Sequence, residues 1–470
     1  MTTRLGRALA PQVAAHPSRS GIYPLRDARD AFAARVLLAS HAHRTLDAQY
    51  YIWRNDVTGA LLFKALRDAA DRGVRVRLLL DDNNTGGLDR TLAALDAHPN
   101  LEVRLFNPFS VRRPHWIGYL TDFRRLNHRM HNKSFTVDNE VTIVGGRNVG
   151  DEYFGAAMAG VLFSDLDVMA AGAVVRDVSN EFERYWNSAS ACPIERVMPR
   201  ATSAEFTQLV AKLEAVERSS EAAAYLSAIR ELPFVHRIAG GTLEMEWVPV
   251  RIISDDPAKI LGRAAKKSLL IEKLKRIFGD PEKRIDLISP YFVPGTTGTD
   301  LLRRWSGSGV MVNILTNSLE ATDVAAVHAG YAKRRRALLQ GGIHLYELRR
   351  SARIAQRKAG PLGSSSSSLH AKTFAVDHCR VFVGSFNLDP RSARLNTEMG
   401  FVIDSPRLAG EIEKVFEVTI PASAYRVHLS PAGRLYWTDE TRRYRSEPGS
   451  SFARRTAVWL SSRLPIEWLL

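Results

Sequence analysis

Cysteine and long apolar runs are both scarce in this sequence. Only two of the 470 residues are cysteine, Cys192 and Cys379, which is too few for a disulfide framework or a multi-cysteine metal site and is typical of a reducing compartment. The longest mostly apolar stretch without charge, residues 154–163, is about half as long as a membrane-spanning helix needs to be. The first 24 residues carry no apolar core of a secretory signal. We therefore expect a soluble chain, or one that binds a membrane from one side.

Acidic residues are fewer than basic ones. The chain has 65 Lys plus Arg against 50 Asp plus Glu, a formal net charge of +15. Such an excess points to an anionic partner, which could be nucleic acid, an acidic membrane surface or phosphate esters. Hydrophobic residues make up 45% and charged residues 24%, which is ordinary for a globular protein and excludes a wholly disordered chain.

One segment of the sequence occurs twice. His131-Asn-Lys-Ser-Phe-Thr-Val-Asp138 returns as His370-Ala-Lys-Thr-Phe-Ala-Val-Asp377, at an offset of 239 residues (370 − 131 and 377 − 138). The same offset relates Asp47, Gly145 and Asn148 to Asp286, Gly384 and Asn387. Repetition at one fixed offset indicates a duplicated structural unit rather than chance.

Each copy reads as strand, helix, strand and then a hairpin, which predicts an α/β fold with mixed sheets. The pattern predicts a first domain over residues 1–200 and a second over 243–430. Residues 201–242 are expected to form a helical connector, and residues 431–470 a C-terminal tail.

The repeated segment predicts a hairpin that gathers polar groups suited to phosphate. Side chains alternate along a strand, so His131 and Lys133 share one face. A hairpin centred at 139.5 places Asn148 opposite His131, and one centred at 378.5 places Asn387 opposite His370. Imidazole, ammonium and carboxamide groups together can bind and attack a phosphodiester.

The aspartates that end the two segments have a different expected position. Asp138 and Asp377 fall at the end of the strand and point away from the shared face, which favours turn or supporting residues over groups that touch the substrate. They are nevertheless counted among the candidate site residues, because they complete the repeated pattern.

If the two halves pack face to face, two histidines, two lysines and two asparagines surround one phosphate. One neutral histidine would attack phosphorus and the other would protonate the leaving alcohol, while the lysines and asparagines stabilise the charge without a metal. An attacking imidazole needs an acceptor on its other nitrogen. The candidates are Asp165 or Asp167 and Glu398; the alternative is that they are surface acids on strands.

These residues resemble the phospholipase D superfamily, whose signature is HxKxxxxD followed by a glycine and asparagine segment, here GGRN and GSFNLDPRS. The resemblance covers nearly the whole chain. It implies two tandem phospholipase D-like α/β/α sandwich domains with mixed β-sheets, related by a pseudo-twofold axis, with the active site at their interface.

Further segments, among them DAQYYIWRND, RVRLLLDDNN and LTNSLEATDVAAVHAGY, resemble bacterial cardiolipin synthases of the C type. The resemblance implies transfer of a phosphatidyl group from phosphatidylglycerol or phosphatidylethanolamine to phosphatidylglycerol, with no cofactor and no metal. A hydrolytic phospholipase D, a phosphodiesterase or nuclease of the same superfamily, and a non-catalytic membrane scaffold remain alternatives. Nucleic acid is not expected as a partner; an accessory protein is left open.

The resemblance also implies roles for individual residues. His131 would be the nucleophile and His370 the general acid and base, with Glu398 orienting His131 and Asp165 orienting His370. The expected phosphate-binding residues are Lys133, Lys372, Asn148, Asn387 and Ser385. The role of Ser385 is open, because the first copy has Gly146 at the matching position.

Two segments combine aromatic residues with arginines and suggest contact with a membrane surface. One spans residues 106–125 and the other residues 452–470. The pattern of the second segment favours an interfacial helix interrupted by Pro465, or else a terminal helix packed on the protein's own core. The expected membrane-contact residues are Arg112, Arg113, Trp116, Tyr119, Trp459 and Trp468. The expected location is peripheral, on the cytoplasmic side of the bacterial inner membrane.

Overall fold

The computed structural model describes residues 3–112, 116–156, 165–239, 242–322, 324–350 and 369–462. Helices and strands alternate along the chain and form two large mixed sheets, so the predicted α/β class is confirmed. The chain divides into two compact units. The first comprises Met1–Met158, Leu166–Leu269 and Leu395–Phe401, and the second comprises Ala159–Asp165, Leu270–Arg394 and Val402–Leu470. Each unit therefore includes one short segment that is far in sequence from the rest of that unit.

The first unit contains a nine-stranded sheet in the order β8-β4-β3-β2-β5-β6-β7-β1-β9. Strands β2, β3 and β4 pair in parallel, and β5 to β7 continue the sheet antiparallel. The strands of this part of the chain are β1 (Ser20–Leu25), β2 (Thr45–Ile52), β3 (Arg75–Asn84), β4 (Leu101–Phe106), β5 (Ser134–Val137), β6 (Val141–Gly145), β7 (Asp167–Gly172), β8 (Ala191–Pro193), β9 (Glu246–Val248) and β10 (Val250–Ser254).

The helices of this part are α1 (Arg4–Ala15), α2 (Ala28–His41), α3 (Val57–Asp71), α4 (Asp89–Asp96), α5 (Trp116–Leu126), α6 (Asp151–Phe154), α7 (Ala173–Trp186), α8 (Ser203–Arg218), α9 (Ser220–Arg230) and α10 (Pro233–Ala239). Three short 3₁₀ helices cover Ile194–Arg196, Pro257–Leu261 and Lys266–Ser268. Helix α8 begins at a capping box in which Thr202 and Glu205 exchange hydrogen bonds. The expected connector, residues 201–242, is therefore helical from α8 to α10, and it lies within the first unit.

The strands of the second part are β11 (Arg284–Ile288), β12 (Met311–Asn317), β13 (His344–Leu348), β14 (Thr373–Val376), β15 (Arg380–Gly384), β16 (Met399–Asp404), β17 (Ala424–Leu429), β18 (Leu435–Thr438) and β19 (Arg443–Tyr444). They follow the order β16-β15-β14-β11-β12-β13-β17-β18-β19. Six of them, β11 to β16, repeat the order of β2 to β7. The duplication in the sequence is therefore a duplication of strand order.

The helices of the second part are α11 (Leu270–Phe278), α12 (Gly295–Gly307), α13 (Ala325–Ala332), α14 (Arg335–Gln340), α15 (Pro390–Arg394), α16 (Pro406–Lys414), α17 (Ile420–Ser423) and α18 (Phe452–Ser461), with a π-helix at Val415–Thr419. Within the described ranges, none of the helices combines the length and the apolar character needed to cross a bilayer.

The two repeated hairpins have a register one residue away from the predicted one. Val137 pairs with Val141 in the first, so the centre lies at residue 139 instead of 139.5, and Val376 pairs with Arg380 in the second. The reason is a three-residue turn in which two successive residues, Asp138 and Asn139 in the first copy, have positive φ angles of 56°. The ladders also begin only at Ser134 and Thr373. The predicted cross-strand pairing of the motif histidines with Asn148 and Asn387 was therefore wrong.

The motif aspartates tie each turn to the start of the neighbouring strand. The Asp138 carboxylate accepts hydrogen bonds from the backbone N–H groups of residues 43, 44 and 45, at 2.7 to 3.1 Å. The Asp377 carboxylate accepts the equivalent bonds from residues 282, 283 and 284, also at 2.7 to 3.1 Å. Both aspartates thus lie in the turns, where they join the hairpin to β2 or β11.

Replacement of Asp377 by asparagine should lower thermal stability near neutral pH. Burial raises the pKa of the Asp377 carboxyl, but the hydrogen bonds from the three backbone N–H groups together lower it by more than burial raises it. The pKa therefore lies below its usual value of 3.8. A depressed carboxyl pKa stabilises the fold above about pH 4, and the contribution is lost as the pH falls through the folded-state pKa. We expect Asp377→Asn to lower Tm by about 2–6 °C at pH 7.

The difference should shrink as the pH falls below about 4 and disappear below the folded-state pKa, where the wild-type carboxyl is itself protonated. Asparagine tolerates positive φ, so the backbone of the turn is preserved. Glu282→Gln is the matched control, since it removes one negative charge from an exposed side chain just before β11 and keeps the backbone N–H that donates to Asp377. Calorimetry measures the Tm of both variants. An equal decrease in both would mean that the change in net charge, and not the loss of the hydrogen bonds to the Asp377 carboxylate, is responsible.

Candidate active site

Each unit carries one set of candidate catalytic side chains. The first half-site, consisting of His131, Lys133, Asn148 and Glu398, lies entirely in the first unit. The second half-site, consisting of His370, Lys372, Ser385, Asn387 and Asp165, lies entirely in the second. Glu398 belongs to the first unit through the segment Leu395–Phe401, and Asp165 belongs to the second.

His131 is held by a buried carboxylate. Its Nδ1 lies 2.8 Å from Glu398 Oε2, with the Glu398 side chain fully buried and that of His131 9% exposed. The backbone N–H of His131 donates to the carbonyl of Thr397 at 2.8 Å. Thr397 precedes Glu398 in sequence, so this backbone hydrogen bond holds the Glu398 side chain next to that of His131.

Glu398 is in turn anchored by a second buried ion pair. Its backbone N–H donates to Asp255 Oδ2 at 3.0 Å, and the Lys259 ammonium lies 2.9 Å from the same oxygen. On the other side, Asp81 Oδ2 accepts from the Met130 N–H at 2.8 Å, and Asp81 Oδ1 lies 3.1 Å from the guanidinium of Arg129. Burial raises the pKa of Asp81 to about 6, although Arg129 acts against this. The residues around His131 are therefore fixed at several points.

Lys133 and Asn148 complete the first half-site. The Lys133 ammonium donates to the carbonyl of His131 at 2.6 Å, and the residue is 1% exposed. Asn148 Oδ1 accepts from the Ile52 N–H at 3.1 Å. Asn148 Nδ2 is buried and has no hydrogen-bond partner among the residues that the structure describes. Such a buried donor is costly unless a ligand accepts from it, and a phosphate oxygen is a suitable acceptor.

Tyr51 was missed by the sequence analysis. Its ring centroid lies 5.0 Å from that of His131 with the planes at 73°, and the Lys133 ammonium lies 5.5 Å from the same centroid. The edge contact and the cation–π contact restrict both side chains. The repeat does not include Tyr51: at the offset of 239 residues its counterpart is Pro290, so the first copy has an aromatic residue where the second has none.

The second half-site has the same groups in a more exposed setting. His370 Nδ1 lies 2.6 Å from Asp165 Oδ2, with the Asp165 side chain fully buried and that of His370 14% exposed. The Lys372 ammonium donates to the His370 carbonyl and lies 3.1 Å from Nδ1 and 3.4 Å from Nε2. Lys372 thus approaches the ring of its histidine, whereas Lys133 donates to the His131 carbonyl and lies over the Tyr51 ring.

Ser385 and Asn387 follow β15 and are 0% and 5% exposed. Asn387 Oδ1 is buried without a hydrogen-bond partner in the described ranges. A 180° rotation of the carboxamide exchanges the positions of its oxygen and nitrogen, so Asn387 can present a donor or an acceptor to a ligand. Phosphate binding by Ser385, Asn387 and Asn148 stays a prediction.

Asp167, the alternative to Asp165 in the sequence analysis, pairs with arginines of its own unit. Asp167 is fully buried, with Oδ2 2.8 Å from the guanidinium of Arg35, and its Oδ1 accepts from the Arg147 N–H at 3.2 Å. The repeated aspartates of β2 and β11 form similar pairs, Asp47 with Arg77 at 2.7 Å and Asp286 with Arg284 at 2.9 Å. These carboxylates are neutralised inside their own unit. Within the described ranges, no group of three or more His, Cys, Asp or Glu side chains is placed to hold a metal ion.

The predicted membrane-contact residues have unequal surroundings. Arg112 is half-buried between Asp82 and Asp89, the latter at 2.5 Å, and these acids neutralise its charge; a lipid contact by Arg112 stays a prediction. The Tyr119 hydroxyl donates to Asn83 Oδ1 at 2.6 Å and is also half-buried. Trp459 on α18 is 51% exposed. Arg113, Trp468 and the side chain of Trp116 lie outside the described residues.

The sequence matches the family described as "Cardiolipin synthase, PLD-like domain" over residues 37–186 and 274–420, one match for each repeat. The chain is 51% identical to cardiolipin synthase C of Escherichia coli strain K12, with 99% of this chain and 100% of that protein aligned. It is 25% identical to the major cardiolipin synthase of Bacillus subtilis strain 168, over 88% of this chain and 71% of that one.

A solved structure has a similar fold. The crystal structure of phosphatidylserine synthase from Haemophilus influenzae Rd KW20 aligns with a TM-score of 0.61 at 14% identity, over 99% of this chain and 100% of that one. Because both repeats match the family and a relative is half identical over the full length, the chain belongs to the cardiolipin synthase family of the phospholipase D superfamily.

Proposed function

We propose that this chain is a phosphatidyltransferase that makes cardiolipin, taking the phosphatidyl group from phosphatidylglycerol or phosphatidylethanolamine and giving it to phosphatidylglycerol. The observation that supports it most is the presence of two equivalent half-sites, each with a histidine whose Nδ1 faces a buried carboxylate. A two-step transfer through a covalent intermediate needs two such histidines, one to bind phosphorus and one to move protons.

In the first step, His131 attacks the phosphorus of the donor lipid through Nε2, since Nδ1 is bound to Glu398. The bond from phosphorus to the head-group oxygen breaks, and His370 donates a proton to that oxygen. Glycerol or ethanolamine leaves, and a phosphatidyl group remains on His131. Lys133, Lys372, Asn148 and Asn387 stabilise the negative charge on the phosphoryl oxygens.

In the second step, His370 takes the proton from a terminal hydroxyl of the phosphatidylglycerol acceptor. The resulting oxygen attacks phosphorus, the bond to His131 breaks, and cardiolipin leaves. This cycle restores both histidines and requires both half-sites to act on one phosphodiester. It uses no metal, because protein cations supply the charge stabilisation that a metal would otherwise supply.

The test is incubation of the purified protein with vesicles of phosphatidylglycerol, with and without phosphatidylethanolamine, followed by mass spectrometry of the lipids. We expect cardiolipin with release of glycerol or ethanolamine, at a rate that EDTA leaves unchanged. Phosphatidic acid without cardiolipin would identify a hydrolytic phospholipase D instead. Cleavage of a labelled oligonucleotide with intact lipids would identify a nuclease, and loss of activity in EDTA would contradict the metal-free mechanism.

The substrates of this reaction lie in a membrane, so we also propose that the protein binds the cytoplasmic face of the bacterial inner membrane as a peripheral protein. The net charge of +15 suits an anionic leaflet. Fractionation of cells should recover the protein with inner membranes, and high salt should release a large part of it, because screening weakens attraction to anionic lipids.

A further inference from the structure

Helix α18 near the C-terminus is apolar on two opposite sides. One side packs on its own unit: Val458 is 4% exposed and forms a cluster with Leu319 and Ala329, against which Ala325 and Ala332 also pack. This contact fixes α18 to α13. The expectation that the terminal helix packs on the core is therefore correct for one face only.

The outer side of α18 carries large apolar groups in solvent. Phe452, Trp459 and Leu460 are 77%, 51% and 56% exposed. Their spacing of seven and eight residues places them on one side of the helix, since 3.6 residues make a turn. Three large exposed apolar side chains within ten residues are uncommon on a protein surface that meets only water.

The charges of α18 have one sign. Its sequence, FARRTAVWLS, contains two arginines and neither Asp nor Glu. Arg455 donates to the Ser450 carbonyl at 2.6 Å, and Arg454 donates to the Thr322 carbonyl at 2.6 Å. An acceptor carbonyl carries no net charge, so the bond to Ser450 orients the Arg455 guanidinium without neutralising it.

The segment before α18 is fastened to the interior of the second unit. The Glu447 carboxylate lies 2.6 Å from Arg335 and 3.0 Å from His328 Nε2. Arg335 also lies 3.0 Å from the fully buried Glu347. The nearest acid that precedes α18 is therefore turned inward, and the helix starts from a fixed point.

We propose that the outer face of α18, formed by Phe452, Trp459 and Leu460 with Arg455 beside them, docks the second unit on the surface of an anionic phospholipid bilayer. An apolar stripe flanked by arginines and without acids complements a leaflet of acyl chains and anionic head groups. A protein partner would instead need an acidic rim around an apolar groove, and vesicle binding that is unchanged in the triple variant would favour that occupant. The inference rests on the proposed function, since the substrate is a bilayer lipid.

Binding is measured with the His131→Ala protein, so that no turnover alters the vesicles. Sedimentation with phosphatidylglycerol vesicles should show a partition coefficient at least about 100-fold lower when Phe452, Trp459 and Leu460 are all changed to serine. Val418→Ser is the matched control, because Val418 is 70% exposed on the π-helix of the same unit; it should bind as the parent does. Arg455→Gln should lower binding about fivefold on phosphatidylglycerol and not on phosphatidylcholine.

Activity separates this inference from the proposed function. With an active parent, the triple variant should be slow on vesicles but normal on short-chain phosphatidylglycerol dispersed below its micelle concentration. If no variant or parent makes cardiolipin, the proposed function fails while the binding result still stands. Equal vesicle binding by the triple variant and by Val418→Ser would overturn the docking face. So would a triple variant that fails to bind only because it is unfolded, if Trp459→Ser alone keeps the Tm of the parent and binds vesicles normally.

Discussion

Alanine in place of His131 or His370 is expected to lower the rate of cardiolipin formation by at least about 10³-fold. His131→Ala removes the atom that binds phosphorus, and His370→Ala removes the group that gives a proton to the leaving alcohol and takes one from the acceptor. The measurement is the initial rate with phosphatidylglycerol vesicles. His378→Asn is the control: this histidine is exposed, it lies in the turn of the second hairpin with a φ of 60°, and asparagine tolerates that conformation.

The two variants should differ on a phosphodiester with p-nitrophenol as the leaving group. Nitrophenolate is stable enough to leave without a proton, so the general acid is not needed in the first step. His370→Ala should therefore release about one equivalent of nitrophenolate and accumulate a covalent phosphoenzyme, detectable by mass spectrometry of the intact protein. His131→Ala should release none above the background.

Each other pattern has a clear meaning. A burst from His131→Ala and none from His370→Ala would exchange the two roles and leave the two-step mechanism in place. Steady turnover by both variants would contradict a histidine nucleophile altogether. Loss in His378→Asn equal to that in the other two would indicate damage to the hairpin rather than lost chemistry.

Local periodicity predicted the succession of strand, helix, strand and hairpin in each copy, and the repeat selected the polar groups of each half-site as candidates. Alternation along a strand and one fixed offset were enough to select His131, Lys133 and Asn148 and their counterparts. The hairpin register was not predictable in the same way, since it depends on Asp138 and Asn139 both adopting positive φ. Either residue type can also form a turn without doing so.

Contacts between distant parts of the chain were the least predictable. Glu398 is 267 residues from His131, and its pairing followed from family resemblance and not from spacing. Arg112 was expected at a lipid surface from the composition around it, and its ion pairs with Asp82 and Asp89 could not be foreseen from that composition. Tyr51 has Pro290 as its counterpart, so the repeat could not select it, and only its contacts with His131 and Lys133 in the fold show its place.

Glutamine in place of Glu398 is expected to lower kcat by about 10²–10⁴-fold with little change in KM. The carboxylate fixes the Nδ1 proton of His131 and stabilises the positive charge that the ring gains when it binds phosphorus. Glutamine fills the same volume and keeps the backbone N–H bond to Asp255, so the fold should persist, which calorimetry checks. Asp165→Asn is the matched change at His370 and should slow protonation of the leaving group instead.

Combined variants decide whether each carboxylate acts through its own histidine. Glu398→Gln added to His131→Ala should cause no further loss, because an acid that only orients and charges His131 has nothing left to act on. Glu398→Gln added to Asp165→Asn should multiply the two losses, since the acids belong to different half-sites. On the nitrophenyl substrate, Asp165→Asn should keep a normal burst while Glu398→Gln loses it. A further loss in the His131→Ala background, or a burst that survives in Glu398→Gln, would show that Glu398 serves something other than His131.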